Sequence, residues 1–279
     1  MGQFRRMNQK RLKGVSKWSR RGPDRTAVEA LPLDMTVGLL PVLNEADTVR
    51  EVIDGVLSLG VVDRLLVIDD NSTDGTLAQL DSAQRQWPQL DVIIRRDEKG
   101  LGSALLYGLG ELVRRYDFGR VVVLDADLSH DPKAIPELLR LHADLVVGSR
   151  YMPGGRIENW RTFRRLVSVV ANRLARGSLR LPVRDVTSGF RVYSRPLAKT
   201  IVDEAACGGY EFQVETVWLA DKHHYTLCET PISFVDRRAG RSKLATPKEV
   251  LKFARFVISK SLRPKRWRTQ TPGGTGRSA

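Results

Sequence analysis

The chain has 279 residues, 42% of them hydrophobic, enough to bury the core of one large α/β domain or two small ones. Its net charge of +14 sits at the ends: residues 1–30 hold nine Lys and Arg against Asp24 and Glu29 (+7), and residues 260–279 hold six and no acid (+6). Cys207 and Cys228, far apart and outside any CxxC spacing, argue against a disulfide scaffold or a zinc site and suit a reducing compartment. No apolar run reaches the roughly 18–20 residues that span a bilayer, and the basic start is read as no secretory leader because no apolar segment follows it.

Residues 1–34 read as a basic disordered tail. From Met35 a regular alternation begins. MTVGLLP (35–41) is a short buried strand, and EADTVREVIDGVLSLG (45–60) carries Val49, Ile53, Val56 and Leu57 at helical spacing. RLLVIDD (64–70) is a second strand, followed by a helix from about Asp74. DVIIRR (91–96) is a third strand, GSALLYGLGELVRRY (102–116) a helix and RVVVLDAD (120–127) a fourth strand. Asp131 and Pro132 mark an N-cap and first-turn proline for a helix ending near Leu141. ADLVVGSR (143–150) is a fifth strand. Strands alternating with helices predict βαβ units and a mostly parallel sheet with both faces covered.

The rhythm changes after Arg150. RTFRRLVSVVANRLARGSLR (161–180) is a basic amphipathic helix, DVTSGFRVYS (185–194) a turn and strand, GGYEFQVETVWLADKHH (208–224) a helix and YTLCETPISF (225–234) a strand. DRRAGRSKL (236–244) is a basic loop. Thr246, Pro247 and Glu249 open a last helix, with Lys248, Lys252, Arg255 and Ser259 on one face. Val250, Leu251, Ala254, Val257 and Ile258 lie opposite, and packing on the body is their default role. The domain plan is thus a tail (1–34), one α/β domain (35–245), an amphipathic helix (246–262) and a second basic tail (263–279). The tails serve either as solubilising segments or as attractors for a polyanion, lipid or nucleic acid.

In open α/β sheets ligands bind beyond the carboxyl ends of the strands. Here PVLNE (41–45), Asp69 and Asp70, and Asp125 and Asp127 all fall at such ends. An uncompensated buried charge costs many kcal/mol, so carboxylates closing a buried strand need partners or a metal. Side chains two apart on an extended segment share a side, so Asp125 and Asp127 can converge on one hard cation, Mg²⁺ or Mn²⁺. His130 either touches substrate or caps a loop. GLGSAL (100–105) departs from a dinucleotide loop, with Leu105 where the last Gly of GxGxxG belongs.

Eight segments occur together in one order: PVLNE, VIDDNSTDGT (67–76), KGLGSA (99–104), LDADLSH (124–130), GSRY (148–151), DVTSGFR (185–191), GYEF (209–212) and FVDRRAGRSKL (234–244). Over about 36–260 the chain resembles the family 2 glycosyltransferases of the GT-A, Rossmann-like fold, and more narrowly the polyprenyl-phosphate sugar synthases of the dolichol-phosphate mannose synthase type. The resemblance implies a nucleotide-sugar site at Pro41, Leu43, Glu45, Ile68, Asp70, Lys99, Asp125, Ala126 and Asp127. It implies a metal at Asp125, Asp127 and Ser129, the last standing where some relatives have Gln. Arg150, Arg164, Ser168, Arg237 and Lys243 would grip an acceptor phosphate, and Asp127, Arg150 and Arg237 would carry the chemistry.

The implied reaction is inverting, metal-dependent transfer of a sugar to a polyprenyl monophosphate by a peripheral enzyme on the cytoplasmic face of a membrane. GDP-mannose is the favoured donor and UDP-glucose the nearest alternative, with Mg²⁺ and Mn²⁺ both open. An anionic membrane surface is the expected partner, an integral membrane partner stays open, and nucleic acid is not expected. A related enzyme with a hydroxyl acceptor would need a carboxylate base where this sequence offers arginines.

Overall fold

The computed structural model describes residues 35–159, 162–236 and 247–262. Both basic tails, and the junctions at residues 34 and 245, fall outside the described residues. In chain order the first half runs β1 (Thr36–Val42), α1 (Val49–Leu57), β2 (Arg64–Asp69), α2 (Thr76–Gln86), β3 (Leu90–Ile94), α3 (Leu101–Arg115) and β4 (Arg120–Val123). A 3₁₀ turn (Pro132–Ala134), α4 (Ile135–Arg140) and β5 (Leu145–Ser149) follow. The second half holds β6 (Arg156–Glu158), α5 (Thr162–Leu179), β7 (Arg191–Ser194), α6 (Arg195–Glu204) and α7 (Phe212–Lys222). It closes with β8 (Leu227–Pro231), β9 (Ser233–Val235) and α8 (Pro247–Ser261).

Seven strands form one sheet in the order β3-β2-β1-β4-β7-β5-β8, and β6 pairs with β9 beside it. The sheet is mostly parallel, as expected. One strand departs: β7 enters antiparallel between β4 and β5, so β5 does not neighbour β4. Helix α6 and the short strand β6 go beyond the sequence reading, and the expected strand over 225–234 divides into β8 and β9 at Ile232. Three-residue strands carry too little periodicity to register in a sequence window.

Two apolar layers cover the faces. α3, α6 and α7 pack one side through Leu105, Leu109, Leu197, Ile201 and Val217, and α1, α2 and α4 pack the other through Ile53, Val56, Leu80 and Leu138. α3 lies directly on β1 because position 108 is glycine; a Cβ there would sit 2.4 Å from the Leu39 side chain. α8 packs through Phe256 and Val257, while Leu251 and Ile258 of its predicted packing face are exposed. Lys260 shares the packed face, its Nζ 3.3 Å from buried Glu215 Oε1 and 4.1 Å from the Trp218 ring centroid.

Arg191 fastens elements of the second half to one another. It is fully buried, and its guanidinium donates to the carbonyls of Ser188 (2.7 Å), Gln213 (2.6 Å) and Val186 (2.9 Å). That joins β7 and the loop before it to the first turn of α7. Arg191→Met keeps the bulk but strips donors from three buried carbonyls, each worth about 1–3 kcal/mol. Urea denaturation should show a loss of about 3 kcal/mol or more; a midpoint unchanged from wild type would contradict this role.

Candidate active site

The carboxyl ends of β1, β2 and β4 bring three loops to one edge. β1 runs into Leu43 and Asn44, the latter left-handed at φ 56°. The Asn44 amide donates to the Ser72 hydroxyl at 2.8 Å, the Thr73 amide to the Asn44 side-chain oxygen at 2.8 Å, and the Glu45 amide to the Thr76 hydroxyl at 2.9 Å. The loop after β1 is thereby laced to the loop after β2. Thr48, before α1, donates its hydroxyl to the Ala126 carbonyl at 2.8 Å, tying in the loop after β4.

Asp69 and Asp70 hold their own arm together. Asp69 accepts from the Ser72 amide at 2.8 Å and the Ser72 hydroxyl at 2.6 Å. Asp70 accepts from Arg95 Nε at 2.7 Å on one oxygen and from the Gly100 amide at 2.8 Å on the other. Arg95, by sequence an ordinary strand-end residue, is thus a buried counter-charge that fixes the 95–100 loop. Gly100 lies at φ 140°, which favours glycine there. Pro41 and Leu43 are half-buried, Lys99 is exposed and Ala126 is buried. Ile68 is fully buried in the core under α3, so its side chain supports the floor of this arm.

The loop after β4 carries the acidic pair. The strand stops at Val123, earlier than the predicted end at Asp127, and Leu128 turns through the left-handed region at φ 60°. Asp125 and Asp127 are therefore presented by a turn rather than by a continuing strand. Asp127 is buried and accepts from the Ser129 amide at 3.1 Å and from the Ser129 hydroxyl. Asp125 is partly exposed and lies against Gly189, where a Cβ would fall 3.0 Å from its carboxylate. As predicted, Asp131 caps the following turn, accepting from the Lys133 amide at 2.9 Å. Two carboxylates and a hydroxyl are hard oxygen donors of the kind Mg²⁺ and Mn²⁺ take. Among the described residues no cluster of three or more His, Cys, Asp or Glu side chains forms a complete cage.

The residues expected to hold an acceptor phosphate divide. Arg150, at the end of β5, is buried and grips Asp185 with both prongs: Nε to Oδ2 at 2.8 Å and Nη2 to Oδ1 at 2.9 Å. Nη2 also donates to the Thr187 hydroxyl at 2.8 Å. Burial alone would raise the Asp185 pKa, but the charge and hydrogen bonds of Arg150 hold it below the ordinary carboxylate value. Ser168 of α5 meets the hydroxyl of Tyr151, next in sequence to Arg150, at 2.9 Å. Arg164 lies in α5, and its side chain is outside the described residues, as are Arg237 and Lys243. Asp185 and Arg191 lie in the DVTSGFR segment, which is the only signal the sequence carries for them.

His130 sits under this site, 1% exposed. Burial pushes its pKa down to about 4, so the ring is neutral.

A model of glycosyl transferase family 2 matches residues 39–202. The chain is 34% identical over 219 residues to the polyprenol monophosphomannose synthase of Mycolicibacterium smegmatis, covering 77% of this chain and 82% of that protein. It is 35% identical over 211 residues to the undecaprenyl-phosphate mannosyltransferase of Micrococcus luteus, covering 74% and 86%. Among solved structures it is similar to glucosyl-3-phosphoglycerate synthase from Mycobacterium tuberculosis in complex with Mn²⁺, UDP and phosphoglyceric acid. That match has a TM-score of 0.60 and 24% identity, and covers 88% of this chain and 86% of the other. At that identity the likeness speaks for the shared fold.

Proposed function

The chain belongs to glycosyl transferase family 2, and from that premise we propose that it transfers mannose from GDP-mannose to a polyprenyl monophosphate with inversion. The two curated relatives, both named for mannose and a polyprenyl acceptor, support the substrate class. One structural observation carries the lipid phosphate acceptor. α5 holds Ser168 against Tyr151 beside Arg150, while the same helix exposes Leu166 (59%), Val167 (45%), Val170 (45%) and Leu174 (61%). A polar end for a phosphate and an apolar stripe for a lipid thus share one helix.

In this reading Pro41, Leu43, Glu45 and Asp70 line the nucleotide's place, with Lys99 and the Ala126 backbone at its margin. Asp125, Asp127 and Ser129 would hold Mg²⁺ or Mn²⁺, which when bound balances the charge of the donor diphosphate. Arg150, Arg164, Ser168, Arg237 and Lys243 hold the acceptor phosphate, with Arg150 fixed in place by Asp185. A phosphate monoester has a second pKa of about 6 and arrives ionised near neutral pH, so no protein base is required. The chain's task is to hold two phosphates together against their repulsion, which suits forked guanidinium donors. One in-line displacement at the anomeric carbon follows. Trapping a sugar–enzyme covalent intermediate on the path would sink that step. Purified protein with polyprenyl phosphate, Mg²⁺ or Mn²⁺, and GDP-mannose or UDP-glucose tests the donor: glycolipid from UDP-glucose alone would move the assignment to glucose.

No helix among the described residues is long and apolar enough to cross a membrane. Access to a lipid acceptor is proposed to come from peripheral docking on the cytoplasmic face. α5 packs against α8, which also exposes Leu251 and Ile258. Exposed Arg173 and Arg176 on α5, Arg180 just after it and the basic tails favour an anionic surface. Burying a leucine is worth about 1.5–3 kcal/mol when complete. Leu166→Gln with Leu174→Gln should therefore lower co-sedimentation with anionic vesicles about tenfold or more. Unchanged binding would place the docking surface elsewhere.

A further inference from the structure

The Asp125 amide donates to His130 Nδ1 at 3.4 Å, and the same nitrogen stands 3.7 Å from the Asp125 carboxylate. Because Nδ1 accepts from that amide it carries no proton, which leaves the ring N–H on Nε2. Nε2 is buried and has no hydrogen-bond partner among the described residues. The ring is held between Phe190 and Phe234, each with its centroid 5.2 Å away. His130 also bridges Phe234 through the backbone, and the Val235 amide donates to the Ser129 carbonyl at 3.2 Å, so β9 pins the whole acidic turn.

A buried donor without a partner costs about 1–3 kcal/mol. A phenylalanine would fill this aromatic slot without that cost. What the imidazole supplies and phenylalanine cannot is an acceptor at the Nδ1 position. The consequence falls on Asp125, whose carboxylate lies against the backbone of Gly189 while its amide is fixed by His130.

We infer that His130 is a positioning residue for the acidic turn: its Nδ1 fixes the Asp125 backbone so that Asp125 meets a divalent cation in one orientation. The inference rests on reading Asp125, Asp127 and Ser129 as the cation site. It assigns His130 no contact with substrate, because the ring is enclosed.

Three variants separate the acceptor from the bulk. Asn places an oxygen near Nδ1, Gln places one near Nε2, and Phe keeps the ring alone. Mn²⁺ affinity is measured by electron paramagnetic resonance in the presence of GDP. Groups that orient a ligand without touching the metal are typically worth about 10–100-fold in affinity. His130→Phe and His130→Gln should therefore weaken Mn²⁺ by about that factor, and His130→Asn should stay within about threefold of wild type. Hydrogen exchange of the 124–128 segment in metal-free protein should rise in the Phe and Gln variants and remain protected in the Asn variant. If His130→Phe does not fold, the Asn and Gln pair decides. Wild-type affinity in His130→Gln, or equal loss in Asn and Gln, overturns the proposal. If the wild type binds no Mn²⁺, the cation reading fails, and hydrogen exchange still decides whether His130 holds the turn.

Discussion

Asp127→Ala should lower sugar transfer by about 10²–10³-fold, the usual scale for removing one preorganised group that stabilises developing charge. The carboxylate is buried, and its turn is tied to α1 through the Thr48–Ala126 bond and to β9 through the Ser129 carbonyl. Those ties do not involve the Asp127 side chain, so the variant should fold. A group acting in the transition state lowers kcat and kcat/KM together, whereas one that only binds donor raises KM. The expected result is a fall in both, with Mn²⁺ affinity reduced. Asp131→Ala is the control. Asp131 is a helix cap, so its loss should cost about 1 kcal/mol of stability and leave turnover near wild type. A fully active Asp127→Ala protein would remove the acidic turn from the chemistry.

Arg150→Ala should destabilise the protein by about 3–5 kcal/mol, because it leaves Asp185 buried with its charge unpaired. For a chain of this size that is a fall in Tm of roughly 10 °C. Arg150→Met combined with Asp185→Asn removes both charges and should recover most of the stability, but not acceptor use, if the guanidinium serves the acceptor phosphate. The pH dependence has a definite sign. In wild type the folded Asp185 pKa is depressed, so the pair's contribution is present above the ordinary carboxylate value of about 3.9 and is lost as pH falls through the lower folded value. In Arg150→Ala, burial without the arginine raises that pKa, and protonation relieves the variant. The stability gap should therefore narrow on acidification. A gap independent of pH would mean that Asp185 is not the unpaired group.

Much of the sheet was legible because its buried strands are continuous apolar runs and its helices carry a 3.6-residue apolar spacing. VVVL and LLVI read directly as strands; the antiparallel entry of β7 did not, since nothing local to RVYS states which neighbour it joins. The site was legible as motifs rather than as partnerships. Asp69 and Asp70 stood out at a strand end, but the answering charge on Asp70 is Arg95, twenty-five residues on, which looks like any strand-end arginine. Arg150 stood out through a resemblance, while its partner Asp185 became visible only when folding closed thirty-five residues between them. Hydrophobicity alone places Leu251 and Ile258 of α8 inward, whereas the packed face carries Phe256, Val257 and Lys260, the last set against Glu215.

The measurement that bears most directly on the account is the chemical identity of the product formed from GDP-mannose and polyprenyl phosphate with Mn²⁺, compared between wild type and Asp127→Ala. The account predicts a mannosyl phosphate diester of the polyprenol with inverted anomeric configuration, formed by wild type and lost in the variant. Transfer to a hydroxyl acceptor with none to polyprenyl phosphate, or a product of retained configuration, would contradict it.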